Sequence, residues 1–209
     1  MMARMTKDRK LVLVLLANVT MVVALVIVGL ASHSLGVLAA GGDYLGDAAG
    51  VALSLAALRL SRHAHGHPRA PSYAALANAT FLLLVTAVVI IEALRRLTGG
   101  APHVQGLPVI VVSLIAGAVM AACALIIGTV ESEDLNMRSV MLDTLADGAS
   151  AVGVALSGAI ILAAKGVYWL DSAVALAIAV IIAYHAIKLI RDVLAQLRAD
   201  PGSNTGVAS

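Results

Sequence analysis

The feature that most constrains this chain is a series of long apolar runs that are almost free of charged side chains. The first run, Leu11–Leu30, has no charged residue, and its length suffices for a helix to cross a hydrocarbon core about 30 Å thick. It is too long for the apolar region of a signal peptide, so we expect it to be retained as the first helix. Five more spans are predicted at Leu35–Leu60, Tyr73–Leu94, Leu107–Thr129, Val140–Ala163 and Ala173–Leu194.

The composition agrees with these spans. Hydrophobic residues make up 61% of the chain and charged residues 12%, whereas a soluble domain is about half apolar and about a quarter charged. Aromatic residues are only 3%, and the abundant small residues suit helices that pack closely in lipid. The single cysteine, Cys123, has no partner for an internal disulfide and is interpreted as a packing residue. The predicted fold class is an all-α membrane protein with six transmembrane helices.

The basic residues predict the orientation. If the N-terminus is cytoplasmic, eleven of the 14 lysines and arginines lie in inside segments, and only Arg95, Arg96 and Lys165 lie outside. Because basic residues accumulate on the cytoplasmic side, both termini are predicted to be cytoplasmic, in a plasma (inner) membrane protein. The predicted parts are a cytoplasmic segment at 1–10, a transmembrane domain at 11–197 and a disordered cytoplasmic tail at 198–209. We expect the chain to act without a soluble domain.

Four aspartates fall inside the predicted spans. Asp43 and Asp47 lie in helix 2, and Asp143 and Asp147 lie in helix 5. Each costs roughly 2.5 to 3.5 kcal/mol near the centre of a membrane helix, so the four cost on the order of 10 kcal/mol before compensation. One or two such acids could serve as structural hydrogen-bonding groups. Two matched pairs with no Lys or Arg at their depth instead favour protons or a cation as the neutralising partner.

The spacing of the aspartates supports a shared site. Residues four apart lie on one face of a helix, about 6 Å apart along its axis. Counted from the predicted span ends, the two pairs differ in depth by roughly 7 Å, which is comparable with an uncertainty of about two to four residues in each boundary. Helices 2 and 5 are therefore expected to meet at one four-carboxylate site, although depth alone does not establish it.

The two aspartate segments also resemble each other. Asp43-Tyr-Leu-Gly-Asp47-Ala-Ala corresponds to Asp143-Thr-Leu-Ala-Asp147-Gly-Ala, and Val-Ala-Leu-Ser follows both, at Val51–Ser54 and Val154–Ser157. Because helix 2 runs inward and helix 5 outward, helices 1–3 and 4–6 are predicted to form an inverted 3+3 repeat. Transporters frequently place a site at the interface of such repeats.

These residues resemble the transmembrane domain of the cation diffusion facilitator family of proton-coupled metal exporters. Besides the two aspartate pairs, His33–Ala39 is similar to the family's entry into helix 2, Leu135–Arg138 to its turn before helix 5, and Ala74–Leu97 to its helix 3. The resemblance covers roughly residues 10–197. It implies a six-helix bundle, usually a homodimer, that exchanges Zn²⁺-class metals for protons.

Three departures from the family pattern are visible. Members usually carry a cytoplasmic ferredoxin-like domain after helix 6, and we expect none here because only a short polar segment follows that helix in the sequence. In the loop between helices 2 and 3, Gly66 and Arg69 fit the family's Gly-x-x-Arg-x-Glu pattern, but Pro71 stands in place of the glutamate. Zinc-selective members often have a histidine in one or both ligand pairs, whereas all four positions here are aspartate.

The predicted function is divalent metal efflux by metal/proton antiport through Asp43, Asp47, Asp143 and Asp147. The expected cargo is Zn²⁺, Cd²⁺, Mn²⁺ or Fe²⁺, with no permanently bound cofactor and no nucleic-acid partner. Four carboxylates repel one another when empty, so metal and protons should compete for the same oxygens. The alternatives are a membrane adaptor whose aspartates pair with a partner protein, and a channel. The sequence shows no Walker A loop and no nucleophile–base pair, so an enzyme is not expected.

Other polar residues carry weaker predictions. The alternating His63, His65 and His67 could collect metal or simply form a solvated basic loop. His33 and His103 are interpreted as loop residues, and His185 as an interfacial one. Glu92 and Arg96 are expected to form an ion pair at a helix end, and Asp171 to be favoured by the dipole at the start of helix 6. Asn78 and Ser54 could face the site, but the periodicity of their helices does not decide it.

Overall fold

The computed structural model is a bundle of six α-helices. It describes the backbone of residues 7–63, 70–128, 135–164 and 166–199, and the side chains of 15–50, 52–53, 72–125, 145–164 and 166–198. The helices are α1 (Lys7–Ser32), α2 (Leu35–His63), α3 (Ala70–Gly99), α4 (Gly106–Gly128), α5 (Leu135–Ala163) and α6 (Trp169–Ala199).

The six predicted spans are confirmed as helices, and most are longer than predicted. The largest difference is in α6, which spans Trp169–Ala199 instead of Ala173–Leu194, and α5 begins at Leu135 instead of Val140, because helices extend past the apolar core into the interfacial region. Five helices contain a described stretch that is long and apolar enough to cross a membrane. The exception is α2, in which the continuous described side chains cover only 35–50. The predicted all-α membrane fold class is confirmed.

Neighbouring helices run in opposite directions. Gly29 of α1 faces Leu38 of α2, and Gly41 faces Leu25, so the numbering rises on one helix as it falls on the other. We call the end of the bundle where α1 begins and α6 finishes the terminal end, and the opposite end the loop end. With six alternating helices, α1–α3 and α4–α6 have opposite topology, as the predicted inverted repeat requires.

The two aspartate helices match in a further way. Both α2 and α5 have 29 residues. Asp43 and Asp47 are the ninth and thirteenth residues of α2, and Asp143 and Asp147 are the ninth and thirteenth residues of α5. Since α2 starts at the loop end and α5 at the terminal end, the equivalent positions are related by inversion, as in other transporters built from repeats.

A stripe of glycines on α2 brings α3 close to it. Gly42, Gly46 and Gly50 are spaced four residues apart on one face. A methyl group added at Gly46 would lie 2.6 Å from Leu82 Cδ1, and one at Gly50 would lie 2.8 Å from Asn78 Nδ2. Small residues in this spacing allow close helix contact in lipid. Asp43 and Asp47 each follow a stripe glycine, so the stripe also fixes the rotation of the acids about the α2 axis.

At the loop end, Asp171 of α6 joins α6 to α2. Asp171 is 0% exposed, and its carboxyl group accepts hydrogen bonds from Ser34 Oγ at 2.5 Å, from the Leu35 amide at 2.6 Å and from the Gly36 amide at 3.3 Å. The first amides of a helix have no partner within their own helix. The sequence interpretation placed Asp171 at its own helix N-terminus, which is correct, but the amides that it caps belong to α2.

Side-chain contacts also join α3 to the loop end of the bundle. Arg96 Nε lies 2.9 Å from Glu92 Oε1, which confirms the predicted ion pair. Arg96 Nη1 also donates to the His33 carbonyl at 2.8 Å, in the α1–α2 turn where His33 has a φ of 56°. The His103 ring contacts the Tyr168 ring, with centroids 4.7 Å apart. The loop end is therefore held together by side chains from several helices.

Candidate functional site

A cavity of about 380 Å³ lies between α2, α3, α5 and α6. Its lining combines carboxylate, amide, hydroxyl and imidazole groups with aliphatic side chains, and none of the described residues that line it is Lys or Arg. The lining residues are Asp43, Asp47, Asn78, Ala79, Leu82, Ala146, Asp147, Ser150, Ile178, Ile181, Ile182, His185, Ala186 and Leu189.

Three of the four predicted site aspartates line this cavity. Asp43 and Asp47 of α2 are half-buried, and Asp147 of α5 is 6% exposed. The α5 backbone includes Asp143, but its side chain lies outside the described residues. The structure thus brings together acids from two helices that are 100 residues apart in the chain, which places the cavity at the contact between the two halves.

The predicted loop histidines are not tested by the structure. His63 is the last residue of α2, and its side chain lies outside the described residues, as do His65 and His67. Their predicted role in collecting metal stays a prediction.

Two contacts define how α2 and α5 are aligned. A methyl group added at Gly36 would lie 3.5 Å from Val154 Cγ1. Further along, the Tyr44 hydroxyl donates to the Asp147 carbonyl at 3.4 Å. Tyr44 is 1% exposed and lies between Asp43 and Asp47 in sequence, so its phenol ties the aspartate segment of one helix directly to that of the other. The two helices are antiparallel at the site.

The cavity ends abruptly on its loop side. Asp43 also borders a much smaller space of about 10 Å³, together with Ala39, Val89 and Ile182, which is room for about one water molecule. Ala39 is 2% and Val89 is 9% exposed, so closely packed apolar side chains follow Asp43 towards the loop end. These residues separate the cavity from the Asp171 cluster.

Towards the terminal end the cavity lining becomes more exposed. On α6, Ile178 and Ile182 are each 7% exposed, whereas His185 is exposed and Leu189 is 42% exposed. All four residues line the cavity. The cavity therefore extends from the aspartates towards the terminal end of the bundle and not towards the loop end.

His185 lines the cavity from α6, and its side chain is exposed. Its predicted interfacial position stays a prediction. Asp43 and Ile182 border the same small space, and α2 and α6 run in the same direction. Four residues further on α2 is Asp47, and three further on α6 is His185, so the two lie within about 1.5 Å in depth at 1.5 Å per residue. A histidine inside an apolar span was the sequence signal for this position, but it did not give the direction of the ring.

Asn78 is the second site residue that the sequence left undecided. It lines the cavity from α3, next to Ala79 and one turn from Leu82. Ser54, which was considered with it, has a side chain outside the described residues. The sequence could not decide whether either residue faces the site. Almost every position on these helices is apolar, so no polar face indicates how each helix is rotated.

The lining groups have the chemistry of a cation site. Carboxylate and amide oxygens bind hard divalent ions, and a neutral imidazole binds softer ones. With no basic residue among the described lining groups, the negative charge of the carboxylates can be offset by a cation or by protons. Among the side chains that the structure describes, no three His, Cys, Asp or Glu residues converge closely enough to hold one ion, so the acids line the cavity without forming a closed cage.

Comparison with known proteins agrees with this architecture. The cation efflux transmembrane domain matches residues 11–198, almost the whole chain. The protein therefore belongs to the cation efflux family, also known as the cation diffusion facilitator family, and is an integral membrane protein. The family resemblance that the aspartate motifs indicated is confirmed.

Individual relatives are metal transporters. A zinc transporter ZitB from Pectobacterium atrosepticum is 36% identical over 74% of this chain and 50% of its own length. A metal cation efflux protein CzcD from Cupriavidus metallidurans is 28% identical over 82% of this chain and 55% of its own length. A cadmium, cobalt and zinc/H⁺-K⁺ antiporter from Bacillus velezensis is 27% identical over 77% of this chain and 54% of its own length.

The matched relatives also bear on the class and location of the protein. They are transporters and not enzymes, and the bacterial homologues together with the apolar helices indicate the plasma membrane. The chain spans about half the length of the relatives that it matches.

Proposed function

We propose that this protein moves a divalent metal cation out of the cell in exchange for protons, and that Asp43, Asp47, Asp143 and Asp147 bind the cation in turn with those protons. The observation that supports this most directly is the cavity into which α2 and α5 contribute three carboxylates, without a basic residue among its described lining groups. Acidic side chains that line a cavity within a membrane bundle commonly mark an ion pathway.

The alignment of α2 and α5 supports including Asp143. Residue 36 faces residue 154, and Tyr44 reaches the backbone of residue 147. Continued along two antiparallel helices, this alignment places Asp43 at the depth of residue 147 and Asp47 at the depth of residue 143, to within about one turn. Contacts between the two helices therefore support a smaller depth difference than the roughly 7 Å estimated from the predicted span ends.

Coupling to protons follows from the charge of the site. Neighbouring carboxylates repel one another, so some hold protons when no cation is present. A divalent cation can bind only as those protons leave. If the cavity opens alternately to each side, protons entering at one side displace the metal that entered from the other, and no nucleotide or covalent step is needed.

The access to the cavity indicates the side from which metal can reach the site in this conformation. In this conformation the cavity extends towards the terminal end, while packed side chains and the Asp171 cluster lie on the loop side. The excess of basic residues on the terminal side predicts that this side is cytoplasmic. We therefore interpret the conformation as the one that accepts metal from the cytoplasm, and its counterpart as one in which the loop end opens.

The choice of metal depends on the donor atoms. An all-carboxylate site favours Mn²⁺ and other hard cations, while nitrogen donors favour Zn²⁺. Aspartate also binds zinc, and His185 brings an imidazole to the cavity. We propose that Mn²⁺ or Fe²⁺ is carried at least comparably with Zn²⁺ and Cd²⁺. We also propose that the protein is a homodimer, as the family resemblance implies.

The test is metal flux in liposomes that contain only this purified chain. Entry of Mn²⁺, Fe²⁺, Zn²⁺ and Cd²⁺ is measured with and without a pH gradient. The proposal expects metal flux to rise when the pH gradient drives protons in the direction opposite to metal movement. Flux that ignores the gradient would indicate a channel. No flux of any ion would favour the non-transporting adaptor alternative. Flux only after a soluble partner is added would refute the expectation that the chain acts without a soluble domain.

A further inference from the structure

Asn78 is a polar residue of the cavity lining to which the proposed four-aspartate site gives no role. Asn78 Oδ1 is buried and accepts no hydrogen bond from any group that the structure describes. The residue belongs to α3, which carries none of the four aspartates, and it lines the cavity together with them. A buried amide oxygen without a donor costs free energy, so a partner for it is expected.

The position of Asn78 is set by a glycine. Gly50 of α2 has no side chain at the point of contact, and a methyl group there would lie 2.8 Å from Asn78 Nδ2. Gly50 is three residues beyond Asp47, which is about 4.5 Å towards the terminal end at 1.5 Å per residue. Asn78 therefore lies next to the terminal side of Asp47, along the direction in which the cavity extends.

We propose that Asn78 is a metal ligand, which supplies a neutral oxygen to the divalent cation beside the carboxylates and favours Mn²⁺-class ions over Zn²⁺. This rests on the proposed function and adds to it a specificity-determining residue on a third helix. Amide oxygens are ordinary ligands of hard divalent cations, and carbonyl and carboxylate oxygens together suit Mn²⁺. The ligand also needs no deprotonation, so its contribution does not depend on pH, in contrast with that of the aspartates.

The decisive variants separate the oxygen from the shape of the side chain. Asn78→Leu removes the oxygen with little change in volume, and Asn78→Asp restores it with a charge. Gly50→Ala forces the amide to move while leaving Asn78 in place. Gly153→Ala is the matched control, because a methyl group at that α5 glycine meets nothing within 4 Å. Thermal unfolding of each purified variant identifies any that do not fold.

The measurement is binding of Mn²⁺ alone, followed by the electron paramagnetic resonance signal of the free ion, with Zn²⁺ binding by calorimetry for comparison. We expect Asn78→Leu to weaken Mn²⁺ binding about tenfold, the lower end of the losses seen when metal-site partners are removed, and to weaken Zn²⁺ binding less. Asn78→Asp should retain Mn²⁺ binding, Gly50→Ala should lose part of it, and Gly153→Ala should match the unmodified protein.

Unchanged Mn²⁺ affinity in a folded Asn78→Leu variant, or equal losses for Mn²⁺ and Zn²⁺, would overturn the proposal. So would a loss in Asn78→Asp as large as that in Asn78→Leu. The binding measurement also separates this proposal from the transport function. If binding depends on Asn78 but liposomes show no flux, the ligand assignment stands and transport fails. If flux is normal and Asn78→Leu changes nothing, transport stands and the ligand assignment fails.

Discussion

Two groups of intramembrane aspartates in this protein have opposite surroundings. Asp171, near the loop end, is 0% exposed and accepts hydrogen bonds from Ser34, Leu35 and Gly36. Asp43 and Asp47, by contrast, are half-buried and line a cavity of about 380 Å³. The same residue type thus joins two helices at one place and lines a cavity at another.

The difference shows what an aspartate within an apolar helix indicates. When several donors form hydrogen bonds to a buried carboxyl group, those bonds offset the free-energy cost of its burial, and the group stabilises the fold. A carboxylate beside a cavity stays accessible to a cation or proton, and its cost is tolerated for function. Asp171 is therefore assigned to stability, whereas the cavity aspartates are the metal ligands that we propose, and the two groups should respond differently to the same substitution.

The largest expected effect is the loss of metal flux when a cavity aspartate is replaced. Asp47→Ala and Asp147→Ala should each reduce metal flux in liposomes by at least about a hundredfold, the upper end of the losses seen when only an outer partner of a metal ligand is removed. The melting temperature should change little. Asp192→Ala is the control, since Asp192 is exposed on α6. Near-normal flux in both folded cavity variants would show that the cation does not use these acids.

For Asp171 the expected effect is on stability. Asp171→Ala leaves a hydroxyl and two α2 amides without their acceptor, which should cost about 3 kcal/mol and lower the melting temperature by about 5 to 10 °C. Metal binding at low temperature should persist. Trp169, the single tryptophan, lies two residues before Asp171 and reports unfolding at this end by fluorescence. Loss of metal binding with an unchanged melting temperature would reverse the two assignments.

Replacing Ser34 is expected to lower stability less than replacing Asp171. The Ser34 hydroxyl donates to Asp171 and accepts from the Val37 amide at 3.1 Å, as a helix N-cap does. Ser34→Ala should therefore cost about 1 kcal/mol and lower the melting temperature by about 3 °C. Thr20→Ala is a suitable comparison, since that exposed hydroxyl bonds only within its own helix, to the Leu16 carbonyl. If both variants lowered the melting temperature equally, the contact between Ser34 and Asp171 would add no stability of its own.

The smallest effect concerns metal preference. Asp143→His adds a nitrogen donor and should raise the Zn²⁺/Mn²⁺ flux ratio a few-fold, about threefold by the preference of imidazole for Zn²⁺. Both fluxes are measured under one pH gradient, with Asp192→His as the control for an added surface histidine. A protein that strongly rejects Mn²⁺ before the change, and whose ratio is unaltered after it, would place selectivity outside the four aspartates.

Much of the fold was predictable because apolar length alone specifies membrane helices. The six spans were located from long apolar runs with few charged residues, and the Glu92–Arg96 pair followed from its spacing of four. The boundaries were less accurate, since α5 and α6 extend beyond their apolar cores. The acids in the cavity were also found from sequence, because a charge inside such a run has few explanations.

The remaining site residues depend on the rotation and contacts of helices. Nothing in the sequence connects Asp171 with the amides of α2, which are more than 130 positions away. Asn78 and His185 are single polar residues in apolar helices, so no periodic polar face gave their direction. Only the glycine stripe on α2, in contact with α3, fixes Asn78 towards the cavity.

The most direct test of the central claim is the number of protons released when metal binds. Calorimetric titration of the purified protein with Zn²⁺ or Mn²⁺, in two buffers of different ionisation enthalpy, gives that number. The histidines at 63, 65 and 67 are replaced by alanine throughout to exclude loop binding. The account predicts proton release with the cavity aspartates intact, and loss of both binding and release in Asp147→Ala. Tight binding without proton release, or release that Asp147→Ala leaves unchanged, would contradict it.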